Sequence, residues 1–309
     1  MKKKSLLGHL ILLLGAVIWG GAFIAQRTGI DDLGPLTLNG IRSFAGSALL
    51  FFVIFCRARI TKQPIKIEKK AFFLSLSCGV ALFLASATQQ IGIVTVEAGR
   101  SGFLTALYIL LVPLIRLLFG KRLRPQVFFA VLLGLGGLIL LSSGDGSLFG
   151  AVTTGDLWLL ACAFFFSVQI ILVDVTGKDF DPLLLTAIEF LVAGILSVAP
   201  ALLSEGTPSA AALRGSLVEL IYLSVFSSAI GYTLQALGQK LSGQPATAAL
   251  IMSTESVFAT LFGVLLLHER YSAREYLGCA VLFAAILLAQ IELPEKKRKK
   301  PESEAENRP

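Results

Sequence analysis

Ten stretches of this chain are long and apolar enough to cross a lipid bilayer, and no other feature restricts the fold as much. They run over 6–26, 36–56, 71–92, 99–118, 126–142, 154–174, 183–203, 217–237, 246–267 and 274–291. Spanning the hydrocarbon core takes about 20 mostly apolar residues in a helix. In lipid the backbone has no water to bond with, so only helices and closed barrels can span. The apolar runs are continuous rather than alternating, which excludes barrel strands. Composition agrees: 55% of residues are hydrophobic and 15% charged, against about 25% charged in soluble domains. A soluble, disordered or disulfide-scaffold protein is excluded. The expected fold class is an all-α integral membrane protein with ten transmembrane helices. The first run, after Met1-Lys2-Lys3-Lys4, reads as a span rather than a cleaved leader. It is too long for a leader, and no A-x-A site follows Trp19.

The basic residues set an orientation, because cytoplasmic loops collect Lys and Arg. With the N-terminus inside, cytoplasmic segments hold 20 of the 27 basic residues. These include Lys2, Lys3, Lys4, the cluster from Arg57 to Lys70, Lys121, Arg122, Arg124, Lys178, Lys240 and the run Lys296 to Lys300. The loops Asp31-Asp32-Leu33-Gly34 and Ser142 to Thr154 carry no Lys or Arg. Both termini are expected in the cytoplasm, with the chain in the cytoplasmic membrane. The net charge of +7 therefore reads as topology signalling, and no nucleic-acid partner is expected. The tail 292–309 reads as a disordered basic and acidic segment whose lysines lie against anionic lipid.

The stretches divide into two sets of five, 1–145 and 146–291. An odd number of spans per set puts the two sets in opposite orientations. Landmarks recur at an offset of 146–148 residues. Pro35 and Pro182 each open a span, and Arg42 and Glu189 each follow seven residues later. Gln89 matches Gln235, and Leu117-Leu118 with Arg122 matches Leu265-Leu266 with Arg270. Inverted repeats around a central cavity are the architecture of alternating-access transporters, with the solute site near the midplane.

Charged and polar groups inside spans are costly, so each needs a partner or a wet cavity. Arg42 lies roughly 10 Å into its span at 1.5 Å per residue, with Asn39 and Ser43 beside it. Glu189 lies equally deep from the other side. Its structural alternative is contact with interfacial water, and that of Arg42 is a carboxylate or a helix C-terminus. Glu255 is the deepest, within the polar run Ser253-Thr254-Glu255-Ser256. Four consecutive polar residues cover most of a helix circumference, so this span is expected to line a cavity or be surrounded by protein. Gln89, Gln90, Tyr108, Gln169, Tyr232 and Gln235 complete the deep polar set, the glutamines doubling as interhelical bridges. Trp19 serves as packing or as a solute platform. The candidate solute-binding residues are therefore Arg42, Glu255, Trp19, Asn39, Gln89, Tyr108, Gln169, Glu189, Tyr232 and Gln235. Spans five and ten carry small residues instead, Ala130, Gly134, Gly136-Gly137, Ala280 and Ala284. Those residues suit a rim position, either as packing helices or as a homodimer contact. Pro113 and Pro200 each remove one backbone bond and mark a hinge or a static kink.

Other chemistries find little footing. No phosphate-cradling G-x-x-x-x-G-K-[ST], H-E-x-x-H or G-x-S-x-G occurs. The four cysteines, Cys56, Cys78, Cys162 and Cys279, read as packing residues without pairing or metal spacing. His9 and His268 are far apart, so no metal and no cofactor is expected. Gly99-Arg100-Ser101-Gly102 fits the G-x-S-G of rhomboid-type intramembrane proteases, but its serine needs a histidine base within reach, and only His268 shares its side of the membrane. A membrane-embedded enzyme is thus a distant alternative to a transporter.

Several segments carry a resemblance. They are Ala16-Val17-Ile18-Trp19-Gly20-Gly21-Ala22-Phe23, Pro35 with Asn39-Gly40-Ile41-Arg42, and Ala98 to Tyr108 leading through Pro113 to Gly120-Lys121-Arg122. In the second half they are Pro245-Ala246-Thr247-Ala248-Ala249, Glu255-Ser256-Val257-Phe258-Ala259 and His268-Glu269-Arg270. From about Leu6 to Gln290 the chain resembles the EamA-type branch of the drug/metabolite transporter superfamily. It departs in having Glu255-Ser256 where the branch often has Glu-Pro, and Phe166-Ser167 where span one has Trp-Gly. The resemblance implies ten helices, cytoplasmic termini, and a central cavity lined mainly by spans other than five and ten. It implies export or exchange of small metabolites, often amino acids. Arg42 beside Glu255 suits a zwitterion, whereas Glu189 with Glu255 leaves organic cations and drugs as the alternative.

Overall fold

The computed structural model describes residues 2–62, 68–96, 98–121, 124–141, 153–178, 180–267 and 272–290. Among them every regular element is a helix. The tail from residue 291, the turn at Gly144–Ser147 and the segment His268-Glu269-Arg270 lie outside the described residues.

The helices are α1 (Lys2–Asp32), α2 (Pro35–Thr61), α3 (Lys69–Ile93), α4 (Ala98–Ala106), α5 (Tyr108–Leu118), α6 (Pro125–Leu141), α7 (Thr154–Thr176), α8 (Pro182–Ser204), α9 (Ala210–Gly215), α10 (Leu217–Ile221), a π-helical turn pair Tyr222–Gly231, α11 (Tyr232–Ser242), α12 (Pro245–Met252), α13 (Glu255–Leu267) and α14 (Ala273–Gln290). Eight segments are long and apolar enough to cross a membrane: Lys4–Asp32, Pro35–Thr61, Lys69–Ile93, Ala98–Leu118, Thr154–Thr176, Pro182–Ser204, Leu217–Ser242 and Pro245–Leu266. The fifth and tenth expected spans fall on α6 and α14, of 17 and 18 residues. At 1.5 Å per residue these reach about 25–27 Å, somewhat short of the roughly 30 Å core.

Helix starts follow local chemistry. Proline fits the first helical turn, where its missing N–H has no partner to lose, and Pro35, Pro182 and Pro245 all stand there. Asp181 caps α8 by accepting from Leu183 N and Leu184 N. Thr153 and Asp156 form a reciprocal capping box on α7. Neither internal proline breaks its helix: Pro113 lies within α5 and Pro200 within α8. The interruptions lie elsewhere, at Leu107, at Ser253-Thr254 and in the π-helical stretch.

Helix α2 packs along α8, α3 along α7, α6 along α14, and α1 against α11 and α13. Of the small residues of the rim helices, Ala130, Gly134 and Gly137 are packed within the chain, whereas a Cβ on Gly136 would meet no neighbour and Ala280 and Ala284 are exposed. A Cβ on Gly137 would stand 2.8 Å from Leu282 N and 2.9 Å from Gly278 O, so the glycine lets the two backbones touch. Large apolar side chains such as Phe52, Phe73 and Leu203 face outward, as lipid contact requires. Cys56, Cys78 and Cys162 are free thiols.

Polar ties close both ends of the bundle. At the end where α2 begins, Glu205 beyond α8 accepts from Leu36 N and Thr37 N, both at 2.8 Å. Arg27 donates to Ile93 O and Val94 O at the end of α3, and Arg100 forms a two-pronged ion pair with Asp156 at 2.8 Å. At the opposite end Arg57 pairs with Asp181 at 2.7 Å, and Lys240 donates to Phe180 O.

Candidate functional site

Between these ends lies a cavity built by one face from each of several helices. α1 contributes Trp19, Ala22, Phe23 and Gln26, a helical i, i+3, i+4, i+7 stripe. α2 adds Arg42, α3 Gln89, and α7 Phe166 and Ile170. The π-helical stretch and α11 bring Ser227, Tyr232 and Gln235. Tyr108, Met252 and Glu255 reach the cavity from the two broken helices. The space open to water is about 40 Å³. Since one water needs roughly 10–15 Å³, the cavity in this state holds a few waters.

The helix breaks aim the polar groups. Tyr108 is the first residue of α5, after the break at Leu107, and Glu255 is the first residue of α13, after the break at Ser253-Thr254. The second break forms without a proline. Ser253 Oγ donates to Leu250 O at 2.8 Å, Thr254 Oγ1 to Ile251 O at 2.6 Å and Ser256 Oγ to Ser253 O at 2.7 Å. Three of the four consecutive polar residues are thus engaged by their own backbone, and Glu255 alone projects to the cavity. All four are buried, as the sequence requires.

The charged groups are held by neutral partners. Tyr108 Oη donates to Glu255 Oε1 at 3.0 Å. Arg42 donates from Nε and Nη2 to Asn39 Oδ1, at 3.1 and 3.0 Å. Asn39 donates onward to Ser197 Oγ at 3.1 Å, and Ser197 is anchored on Ala193 O. Among the described residues, Arg42 therefore has neither the carboxylate nor the helix C-terminus expected of a purely structural role. Tyr232 packs edge-on against Trp19 and Phe190, each at 4.9 Å between ring centres. Trp19 Nε1 donates to Ser227 O at 3.3 Å. Gln26 Oε1 is buried with no hydrogen-bond partner among the described residues, and a buried acceptor left unpaired by protein is costly unless a ligand or water bonds to it.

The candidate residues thus divide. Trp19, Arg42, Gln89, Tyr108, Tyr232, Gln235 and Glu255 line the cavity. Asn39, Gln169 and Glu189 do not: helix packing places Asn39 and Gln169 each behind a lining residue, and Glu189 behind Gln169. Asn39 stands behind Arg42. Gln235 Nε2 donates to Gln169 Oε1 at 2.9 Å, and Gln169 Nε2 donates to Glu189 Oε1 at 3.0 Å. Gln169 and Gln235 bridge helices, as expected, and Gln89 makes a long contact to Thr105 at 3.4 Å, whereas neither amide atom of the buried Gln90 has a partner among the described residues. Glu189 is 1% exposed, which overturns its placement near interfacial water. Sequence reading missed Gln26, Phe23, Phe166 and Ile170. The signal for Gln26 was available: it lies seven residues after Trp19, on the same face. Ser101, the nucleophile of the protease pattern, is buried and donates to Val96 O, while Arg100 is committed to Asp156.

Comparison with known proteins gives the setting. A transporter of Archaeoglobus fulgidus is 28% identical over 289 residues, covering 93% of this chain and 87% of that protein. The inner membrane transporter YedA of Escherichia coli is 28% identical over 284 residues, covering 89% and 88%. A chloroplastic WAT1-related protein of Arabidopsis thaliana is 25% identical, covering 90% of this chain and 68% of its own. One crystal structure superposes with a TM-score of 0.73 at 20% identity, covering 91% of this chain and 96% of that one, and shares the fold. The model of the EamA-like transporter family matches twice, over residues 6–143 and 153–290. This multi-pass membrane protein, whose setting is lipid and whose cargo is a small molecule, belongs to the EamA-like transporter family.

Proposed function

We propose that this chain moves a small zwitterionic metabolite, an amino acid being the simplest case, out of the cell or in exchange, by alternating access of two inverted five-helix repeats. The observation that carries the reading is a cavity holding Arg42 and Glu255, neither ion-paired with an opposite charge among the described residues. A solute carboxylate would take the free face of the Arg42 guanidinium, which is suited to planar anions. A solute ammonium would take Glu255 and Gln26, and its side chain would lie against Trp19, Phe23, Phe166 and Tyr232.

Two features support the inverted repeat. The pairs Trp19 and Phe166, Phe23 and Ile170, Gln89 and Gln235, and Tyr108 and Glu255 each stand 146 or 147 residues apart, and every one of these residues lines the cavity. The packing partners also exchange consistently: α3 on α7 corresponds to α11 on α1, while α2 on α8 and α6 on α14 map onto themselves. Taking α6 and α14 as short rim spans restores the count of ten. The distribution of Lys and Arg supports cytoplasmic termini. The cavity is narrow in this state, with about 40 Å³ open to water, and alternating access would load it by parting the repeats at one end.

The test is thermal stabilisation of the purified protein by matched ligands. A ligand bound only to the folded state at a hundred times its Kd adds about 2.7 kcal/mol. Amino acids should stabilise, while the corresponding amines without carboxylate and N-acetylated acids without ammonium should not. Stabilisation by the amines alone would instead favour organic cations, which the aromatic lining around Glu255 would also suit.

A further inference from the structure

We propose that Glu189 is a proton-binding site outside the cavity, and that its occupancy governs which atom Gln235 presents to the solute, so that proton and solute oppose each other's binding. The inference rests on the transport reading above and adds the coupling ion to it.

Glu189 is 1% exposed, and its hydrogen-bond partner is the neutral amide of Gln169. None of the described Lys, Arg or His side chains forms an ion pair with it. The ionisable groups that approach it from neighbouring helices are Cys78 of α3 and Tyr232 of α11. Arg42, on the facing α2, is engaged by Asn39 instead. The π-helical stretch packed on α8 brings Tyr222, which donates to Ile18 O on another helix. A carboxylate in such surroundings sheds its charge by taking a proton rather than remain charged and unpaired.

The two glutamines carry that state to the cavity. A carboxylate can only accept, whereas a carboxylic acid can also donate. With Glu189 ionised, Gln169 must turn Nε2 toward it and Oε1 toward Gln235. Gln235 must then donate its own Nε2 to Gln169, which leaves Oε1 for the cavity. Both hydrogen bonds are present, and Gln235 lines the cavity. With Glu189 protonated, its hydroxyl can donate to Gln169 Oε1. Both amides are then free to turn over, and Gln235 can present Nε2–H in place of Oε1. A carbonyl at the cavity wall favours a solute ammonium, and an N–H group opposes it. Protonation therefore weakens solute binding, and by reciprocity solute binding expels the proton. The proton passes between the bath and a Glu189 oxygen, and only that O–H bond forms and breaks. The exchange is proton inward for solute outward.

The test uses the full chain in liposomes loaded with a mixture of the common amino acids and a trapped pH dye. We expect external acid to accelerate amino-acid efflux, and efflux to carry protons inward. In Glu189→Gln, exchange of labelled for unlabelled amino acids should continue while both effects of the gradient vanish. Acid-stimulated efflux that persists in Glu189→Gln overturns the proposal. If that variant does not fold, Gln169→Leu serves, since it cuts the relay and should also abolish the gradient response; a retained response overturns the proposal. Infrared titration of the protein without any solute separates this from the transport reading. One component of the carbonyl band of protonated carboxylic acids should persist in Glu255→Gln and be lost from Glu189→Gln, and any component from Glu255 should do the reverse. If no amino acid exchanges in wild type but the band behaves so, the transport reading fails and the proton site stands. If the Glu189 band is absent at every pH, the proton site fails whatever is transported.

Discussion

Tyr108 and Glu255, 147 residues apart, begin the second halves of two broken helices and meet across the cavity through a 3.0 Å hydrogen bond. The bond joins equivalent positions of the two halves of the chain. It also gives Glu255 a neutral donor, so its carboxyl group is oriented without an ion pair among the described residues. Removing the charge and removing the orienting bond should differ in effect. Glu255→Gln is expected to abolish flux at unchanged folded yield, whereas Tyr108→Phe should raise KM several-fold and leave measurable flux. Flux measurements on equal amounts of folded protein check this, and wild-type flux in Glu255→Gln would remove that residue from the mechanism.

Arg42 depends on Asn39 for its position. A hydrogen bond to a charged group is worth about 1.5–3 kcal/mol, and Asn39 Oδ1 accepts two. Asn39→Leu should lower stability by roughly that amount and raise KM for a carboxylate solute more than it lowers the maximal rate. Arg42→Lys retains the charge but lacks the planar fork, and is expected to fail in transport while remaining folded. Denaturant midpoints and concentration-dependent flux separate the two effects.

Gln26 offers an opposite signature. Its Oε1 is buried with no partner among the described residues, and an unsatisfied buried acceptor costs about 1–3 kcal/mol. Gln26→Leu should therefore raise thermal stability while weakening solute binding. A gain in one and a loss in the other mark a group kept for its ligand. Unchanged binding would assign Gln26 to packing.

Glu205 closes one end of the α2–α8 pair by capping Leu36 N and Thr37 N. A side chain at Gly34 would run into its carboxyl group. Loss of an N-terminal cap costs about 0.5–2 kcal/mol, so Glu205→Ala should destabilise the closed state by that order. It should also speed labelling of a cysteine placed at Gln26. By contrast, Arg57→Ala at the other end removes a partly exposed pair and is expected to change stability by under about 1 kcal/mol. Labelling rates in the two variants, measured side by side, test whether the ends differ in strength.

The bundle was legible in the sequence because lipid leaves the backbone only one economical state, and the apolar runs mark it directly. The polar level was legible for the same reason: Arg42, Glu255 and Gln89 are too costly at depth to be incidental. What the sequence did not reveal was direction. Whether Gln169 faces the cavity or backs Gln235, and whether Asn39 binds solute or Arg42, depends on how α2, α7 and α8 rotate against one another. That rotation is fixed by contacts between residues distant in sequence. The breaks at Leu107 and Ser253-Thr254 were missed for a different reason. Proline is the residue whose missing N–H marks a break in a sequence, whereas here hydroxyl side chains bonding to their own backbone make the second one, and Pro113 sits inside an intact helix.

The most direct measurement is counterflow in liposomes. Vesicles carrying the purified chain are loaded with unlabelled amino acids and diluted into a trace of labelled ones. Transient accumulation of label in wild type, abolished by Glu255→Gln and by Arg42→Lys, is the expected result. Accumulation that survives both substitutions, or that occurs equally with amines lacking a carboxylate, would contradict a zwitterion site built on Arg42 and Glu255.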